Sequence, residues 1–183
     1  MAARRELRSD GPEQTQRLGA LLGAALRPGD VILLHGGLGA GKTALTQGIA
    51  RGLGVTETVN SPTFTILKEY SGRLPLNHFD LYRIDHPDEL LSLGFEQYFD
   101  TGDGVCVVEW AERGEVDPSE GVALWPADCL RIELIKLADD ARLLRCAGAG
   151  ARGAELVSIL SAAETADDES ADTAGTPAAP GAE

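Results

Sequence analysis

The stretch Gly36-Gly37-Leu38-Gly39-Ala40-Gly41-Lys42-Thr43 decides how the rest of the chain is read. It matches G-x-x-x-x-G-K-[ST], follows the apolar run Val31-Ile32-Leu33-Leu34 and opens into Ala44-Leu45-Thr46-Gln47-Gly48-Ile49-Ala50. Strand, glycine loop and helix in that order predict a P-loop at the head of an α/β nucleoside-triphosphate-binding domain. Glycines let successive N–H groups converge on an oxyanion, and the helix that starts near Lys42 adds the positive end of its dipole. Lys42 is placed to reach the β- and γ-phosphates as a flexible point charge. The Thr43 hydroxyl suits a magnesium ion, which prefers oxygen ligands and keeps several waters.

Working outward, Glu13–Leu26 carries Leu18, Leu21, Leu22, Ala25 and Leu26 at helical spacing, with Pro12 suited to a first helical position. Pro28-Gly29-Asp30 ends that helix and launches the strand over residues 31–35. Beyond the loop, a helix over Lys42–Leu53 stops at Gly54. The runs Phe64–Tyr70 and Leu74–Tyr82, joined through Ser71-Gly72-Arg73, predict a hairpin, and hence an antiparallel pair in an otherwise parallel sheet. Pro87-Asp88-Glu89 opens a helix whose apolar surface is Leu90, Leu91, Leu93, Phe95, Tyr98 and Phe99. Val105–Val108 reads as a short buried strand ending at Glu109-Trp110, and Leu130–Leu137 with Ala141–Cys146 as a closing hairpin. The expected fold is thus a single α/β P-loop domain over residues 12–147, with a mixed central sheet that includes antiparallel hairpins and is flanked by helices. Residues 1–11 are expected to be loosely held, and residues 148–183 to form a mostly disordered acidic tail rich in Ala and Gly, with a helical turn or two over Ala154–Leu160.

The length of 183 residues suits one core. With 16 Lys+Arg against 29 Asp+Glu, the formal charge is −13, which opposes direct binding of nucleic-acid phosphates. Cys106, Cys129 and Cys146 are widely spaced and read as buried free thiols of a reducing compartment, not as a disulfide framework or metal site. No run approaches the ~18 apolar residues of a membrane span, and the N-terminus lacks an apolar targeting core. A soluble, cytoplasmic protein with no membrane partner is expected.

A magnesium-nucleotide site also needs an acidic group at the carboxyl end of a strand beside the P-loop strand. Glu109, closing Val105–Val108, fits that position. Asp80 is the rival acid. In Asn77-His78-Phe79-Asp80-Leu81-Tyr82-Arg83, alternation puts His78, Asp80 and Tyr82 on one face. Asp80 can activate or orient an attacking water, or hold magnesium through a water. His78 reads either as a site residue or as a structural hydrogen-bonder, and His35 as packing. Ser61-Pro62-Thr63 lies where nucleotide switches place a γ-phosphate sensor, though a simple turn accounts for it as well. Trp110 reads as a neighbour of the nucleotide or as core or rim.

Taken together, the glycine loop, Ser61-Pro62-Thr63-Phe64-Thr65, His78-Phe79-Asp80-Leu81-Tyr82-Arg83 and Glu109-Trp110 resemble the bacterial TsaE family of P-loop ATPases, which act in making threonylcarbamoyladenosine in tRNA. The resemblance runs from about Thr15 to Arg142. It implies that Gly37, Leu38, Gly39, Ala40, Gly41 and Lys42 wrap the phosphates of ATP, that Thr43 and Glu109 hold Mg2+, and that Asp80 is needed for hydrolysis. It further implies that Ser61 to Thr63 form the switch, that Thr15 lies near the adenine, and that the turn from Asp139 to Arg142 closes the base pocket. The implied partners are a glycoprotease-like threonylcarbamoyl transferase and its non-catalytic paralogue, with tRNA met only through them. A small-molecule or nucleoside kinase is the alternative. Such an enzyme needs a lid with several cations, whereas only Arg131 and Lys136 are positive between Glu115 and Ala141.

Overall fold

A computed structural model describes residues 3–100, 102–115, 124–137 and 140–172, the last ten of these by backbone only. One seven-stranded sheet organises them. The strands are β1 (Ala3–Ser9), β2 (Val31–His35), β3 (Leu67–Tyr70), β4 (Leu76–Asp80), β5 (Val105–Glu109), β6 (Leu130–Lys136) and β7 (Arg142–Gly148). Their spatial order is β1-β7-β6-β2-β5-β4-β3. The four inner strands β6, β2, β5 and β4 run parallel. Antiparallel pairs close both sides, β3 on β4 at one edge and β6–β7–β1 at the other. Because β2, β4 and β5 point the same way, the glycine loop, Asp80 and Glu109 emerge at one edge of the sheet. Asp80 pairs directly with Glu109 in the register.

Burial follows the pleat. In β2 every residue from Val31 to Leu34 is buried, as a strand covered on both faces must be. Ile32 and Leu34 pack into a cluster with Leu18, Leu22, Leu45, Ile49, Leu156 and Leu160. Val31 and Leu33 face the opposite cluster, with Phe79, Leu90, Phe95 and Trp125. The first cluster lies under helices α1 (Pro12–Ala25), α2 (Lys42–Gly52) and α5 (Gly150–Asp172); the second lies under the short helices α3 (Asp88–Ser92) and α4 (Gln97–Asp100).

Helices α1 and α2 meet backbone to backbone. A Cβ on Gly23 would lie 2.2 Å from the Ile49 carbonyl oxygen, and one on Gly48 would lie 2.2 Å from that of Gln16. Only glycine permits this approach. Gly48→Ala is therefore expected to cost about 3 kcal/mol, the upper part of the usual overpacking range, and to lower the melting temperature by roughly 6–12 °C. Gly11→Ala, where nothing lies within 4 Å of the added carbon, serves as the control and should change stability by about 1 kcal/mol or less. Equal melting temperatures for the two variants would contradict the close packing.

Three expectations need correction. Within the segment expected to be loosely held, Ala3–Ser9 pairs with β7 at seven positions and Leu7 is buried, while residues 1 and 2 lie outside the described residues. Charged residues alternate there with inward Leu7 and Ser9, a strand pattern that Arg4, Arg5 and Arg8 obscured. The helical turn or two expected over Ala154–Leu160 is part of a longer helix, α5, which runs on to Asp172 through residues expected to be disordered, and Leu156, Val157 and Leu160 bury its first turns. Asp128 accepts the backbone N–H groups of Arg152 and Gly153, satisfying the helix start. Arg152 also reaches back to Asp30 at 2.7 Å and to the Ala25 carbonyl at 2.8 Å. Residues 173–183 lie outside the described residues. Finally, the single helix expected after Pro87 is two, because Gly94 takes a left-handed φ of 65° between them.

Candidate functional site

The glycine loop turns sharply where its sequence allows. Gly36, Gly39 and Gly41 have φ of 133°, 72° and 109°, and these values curl the backbone ahead of α2. A cleft of about 330 Å³ lies above it, lined by Leu38 to Ala44 and by Ser61, Thr63, Asp80, Tyr82, Glu109 and Trp110. A larger hollow of about 610 Å³ on the β1–β7–β6 side contains none of these groups except the sheet itself; arginines there pair with glutamates. The smaller cleft carries the concentrated chemistry.

Lys42, from the first turn of α2, folds back over the loop. Its Nζ donates to the carbonyl oxygens of Gly36 and, at 3.0 Å, of Gly37, and lies 3.6 Å from the centre of the Trp110 ring. Burial pushes its ammonium below the ordinary lysine value, against the opposing pull of Glu109, Glu112 and Asp80. Trp110 occupies this position with a left-handed φ of 58° and packs at a tilt against Tyr82, with ring centres 5.0 Å apart.

Glu109 is 2% exposed, and a buried carboxylate must be met by donors. Thr43 Oγ1 donates to Oε2 at 2.9 Å. Thr46 Oγ1 lies 3.2 Å from Oε1 and His78 Nε2 lies 2.8 Å from it. Thr46 received no role in the sequence reading, although its spacing of one helical turn from Thr43 was the available signal. The Thr43 hydroxyl and Glu109 carboxylate together form an all-oxygen pair at the cleft floor. Among the described residues no cluster of three or more His, Cys, Asp or Glu could hold a metal. A hard ion here would therefore complete its shell with water and phosphate oxygens, the habit of magnesium. The residues fit such an ion.

Asp80 ends β4, 2% exposed. Its Oδ2 accepts from the hydroxyls of Ser61 and Thr63, the latter at 2.9 Å, and its Oδ1 accepts the Tyr82 N–H at 2.9 Å. The Ser61-Pro62-Thr63 loop is thus tied to the acid and borders the cleft. The same loop continues into Ile66, whose φ of 66° is a strained value for a β-branched residue.

Arg142 also reaches the site: a Cβ on Gly41 would lie 3.4 Å from its Nε. Ala138 and Asp139 of the same turn lie outside the described residues. Thr15 is not brought to the cleft. It is fully buried in α1, with its hydroxyl 2.8 Å from Ser9 Oγ and 3.2 Å from the Gly11 carbonyl oxygen, so it ties β1 to α1. His35 is not simple packing either. Its Nδ1 is 3.6 Å from Glu112, and burial lowers its basicity.

The family described as threonylcarbamoyl adenosine biosynthesis protein TsaE matches residues 9–144. A relative from Bacillus subtilis, the tRNA threonylcarbamoyladenosine biosynthesis protein TsaE, is 45% identical over 155 residues, spanning 84% of this chain and 92% of the relative. The protein of that name from Streptomyces coelicolor is 38% identical over 154 residues, 79% of this chain and 98% of its own. The crystal structure of YdiB from Bacillus subtilis superposes with a TM-score of 0.73 at 40% identity, covering 88% of this chain and 96% of that one.

Proposed function

The chain belongs to the TsaE family, and from that premise we propose that it is a magnesium-dependent ATPase that supports a threonylcarbamoyl transferase in the synthesis of threonylcarbamoyladenosine on tRNA. The observation that carries the catalytic reading is the arrangement across one cleft. Thr43 and Glu109 share a hydrogen bond at the floor, and Asp80, next to Glu109 in the register, has the Ser61–Thr63 loop bound to it. In this reading the amides of Gly37 to Gly41 receive the phosphates, and Lys42 exchanges its loop carbonyls for phosphate oxygens. Arg142 borders the loop from the base side. Thr43 and Glu109 hold Mg2+, which when bound would neutralise charge on the transferring phosphoryl group. Asp80 accepts a hydrogen bond from the attacking water and draws its proton, while Ser61 and Thr63 read the γ-phosphate. Thr15, buried within α1, takes no part as it stands.

The kinase reading has less support. Arg131 and Lys136 lie on β6 and are no lid. The proposed partners, a glycoprotease-like transferase and its non-catalytic paralogue, would approach the cleft mouth. Leu38 on the glycine loop and Phe64 on the neighbouring loop are 82% and 81% exposed there, the most exposed large apolar side chains described. Among the described residues no helix is long and apolar enough to cross a membrane.

The test is nucleotide titration with and without Mg2+, followed by phosphate release from the chain alone and with the transferase pair. Slow release alone, faster release with the pair, and ATP-dependent co-purification are expected. Rapid phosphoryl transfer to a small metabolite would sink the proposal.

A further inference from the structure

We propose that His78 is a positioning residue for Glu109, holding one carboxylate oxygen so that the other faces the metal position. The inference rests on the reading above, in which Thr43 and Glu109 hold Mg2+. His78 sits in β4 with no exposed surface, and its Nε2 lies 2.8 Å from Glu109 Oε1. A carboxylate only accepts, so Nε2 carries the proton. Thr46 approaches the same oxygen at 3.2 Å but also lies 3.0 Å from the Lys42 carbonyl oxygen, its ordinary helical acceptor. The imidazole is therefore the principal donor to Oε1. With that oxygen pinned, Oε2 turns to Thr43.

The other ring nitrogen makes the case stronger. Nδ1 of His78 is buried and has no hydrogen-bond partner among the described residues. Burying an unmet polar atom is unfavourable, and an apolar side chain beside the Tyr70 ring, 6.4 Å away, would pack without it. The donation to Glu109 is what histidine adds at this position. Without it, the carboxylate is free to turn toward Lys42, whose charge acts on it.

Two isosteres separate this role from packing. The amide nitrogen of glutamine can occupy the place of Nε2, whereas that of asparagine falls near Nδ1 and cannot reach Glu109. The readout is the gain in affinity for a fluorescent ADP when Mg2+ is added, relative to affinity in EDTA, with melting temperature measured alongside. His78→Asn should lower the magnesium-dependent gain by about tenfold or more, as expected when a group orienting a metal ligand is lost, and leave affinity in EDTA unchanged. His78→Gln should restore the gain. Equal gains in the Asn and Gln variants, or an unchanged gain in His78→Asn, would overturn the proposal. A wild-type chain that binds ADP equally well with and without Mg2+ would instead overturn the metal reading beneath it.

Discussion

Asp80→Asn is expected to slow ATP turnover by about 10³-fold, within the range seen when a general base is removed, while nucleotide affinity changes by about threefold or less. The substitution is nearly isosteric. The asparagine carbonyl oxygen can still accept the Tyr82 N–H, and its amide can face Ser61 and Thr63, whose hydroxyls reorient to accept. What disappears is the negative charge and the capacity to take a proton. Single-turnover phosphate release, beside an equilibrium titration with labelled ADP, separates the two effects. Turnover within a few-fold of wild type would remove Asp80 from the chemistry and return it to a structural role in the loop.

Lys42→Ala should act on binding, weakening ATP affinity by about 100-fold, the loss of roughly two charge-assisted hydrogen bonds to phosphate. The lysine is held above the loop by the carbonyl groups of Gly36 and Gly37 and by the face of Trp110. A ligand phosphate would recruit a charge already poised and partly stripped of water. The melting temperature without nucleotide should move little, because the partners the alanine leaves behind, the carbonyl groups of half-buried Gly36 and exposed Gly37 and the face of Trp110, border an open cleft that water can enter. The stabilisation that ATP confers on wild type should nearly vanish in the variant. Unchanged affinity by calorimetry would contradict the central role of the loop.

The parallel heart of the sheet and the loop at its edge were legible in the sequence because each rests on local rules. Val31–Leu34 is apolar on both faces, the glycines follow, Glu109 closes the apolar Val105–Val108, and Asp80 closes a strand that mixes polar and apolar residues. The hairpin β3–β4 was legible from its turn. The contacts that unite the site were not, since Thr46, His78 and Glu109 come from three separate elements and meet only through the register of β4 with β5 and the seating of α2. Thr15 misled for a related reason. A hydroxyl in a helix near the loop says nothing of which way the helix turns, and here it faces Ser9. The edge strand β1 escaped notice because an outermost strand needs few apolar residues, and its charges resemble those of a solvated terminus.

That edge strand has a consequence for how the molecule is made. Ala3–Ser9 leaves the ribosome ahead of every other described element, yet its partner Arg142–Gly148 emerges after all the other strands. The parallel strands and their helices can gather while synthesis proceeds, whereas the far edge must wait for the hairpin β6–β7. A stalled nascent chain that ends before Arg142 should hold a partly built cleft with its first strand still dangling. Release of the C-terminal segment is the event that closes the sheet.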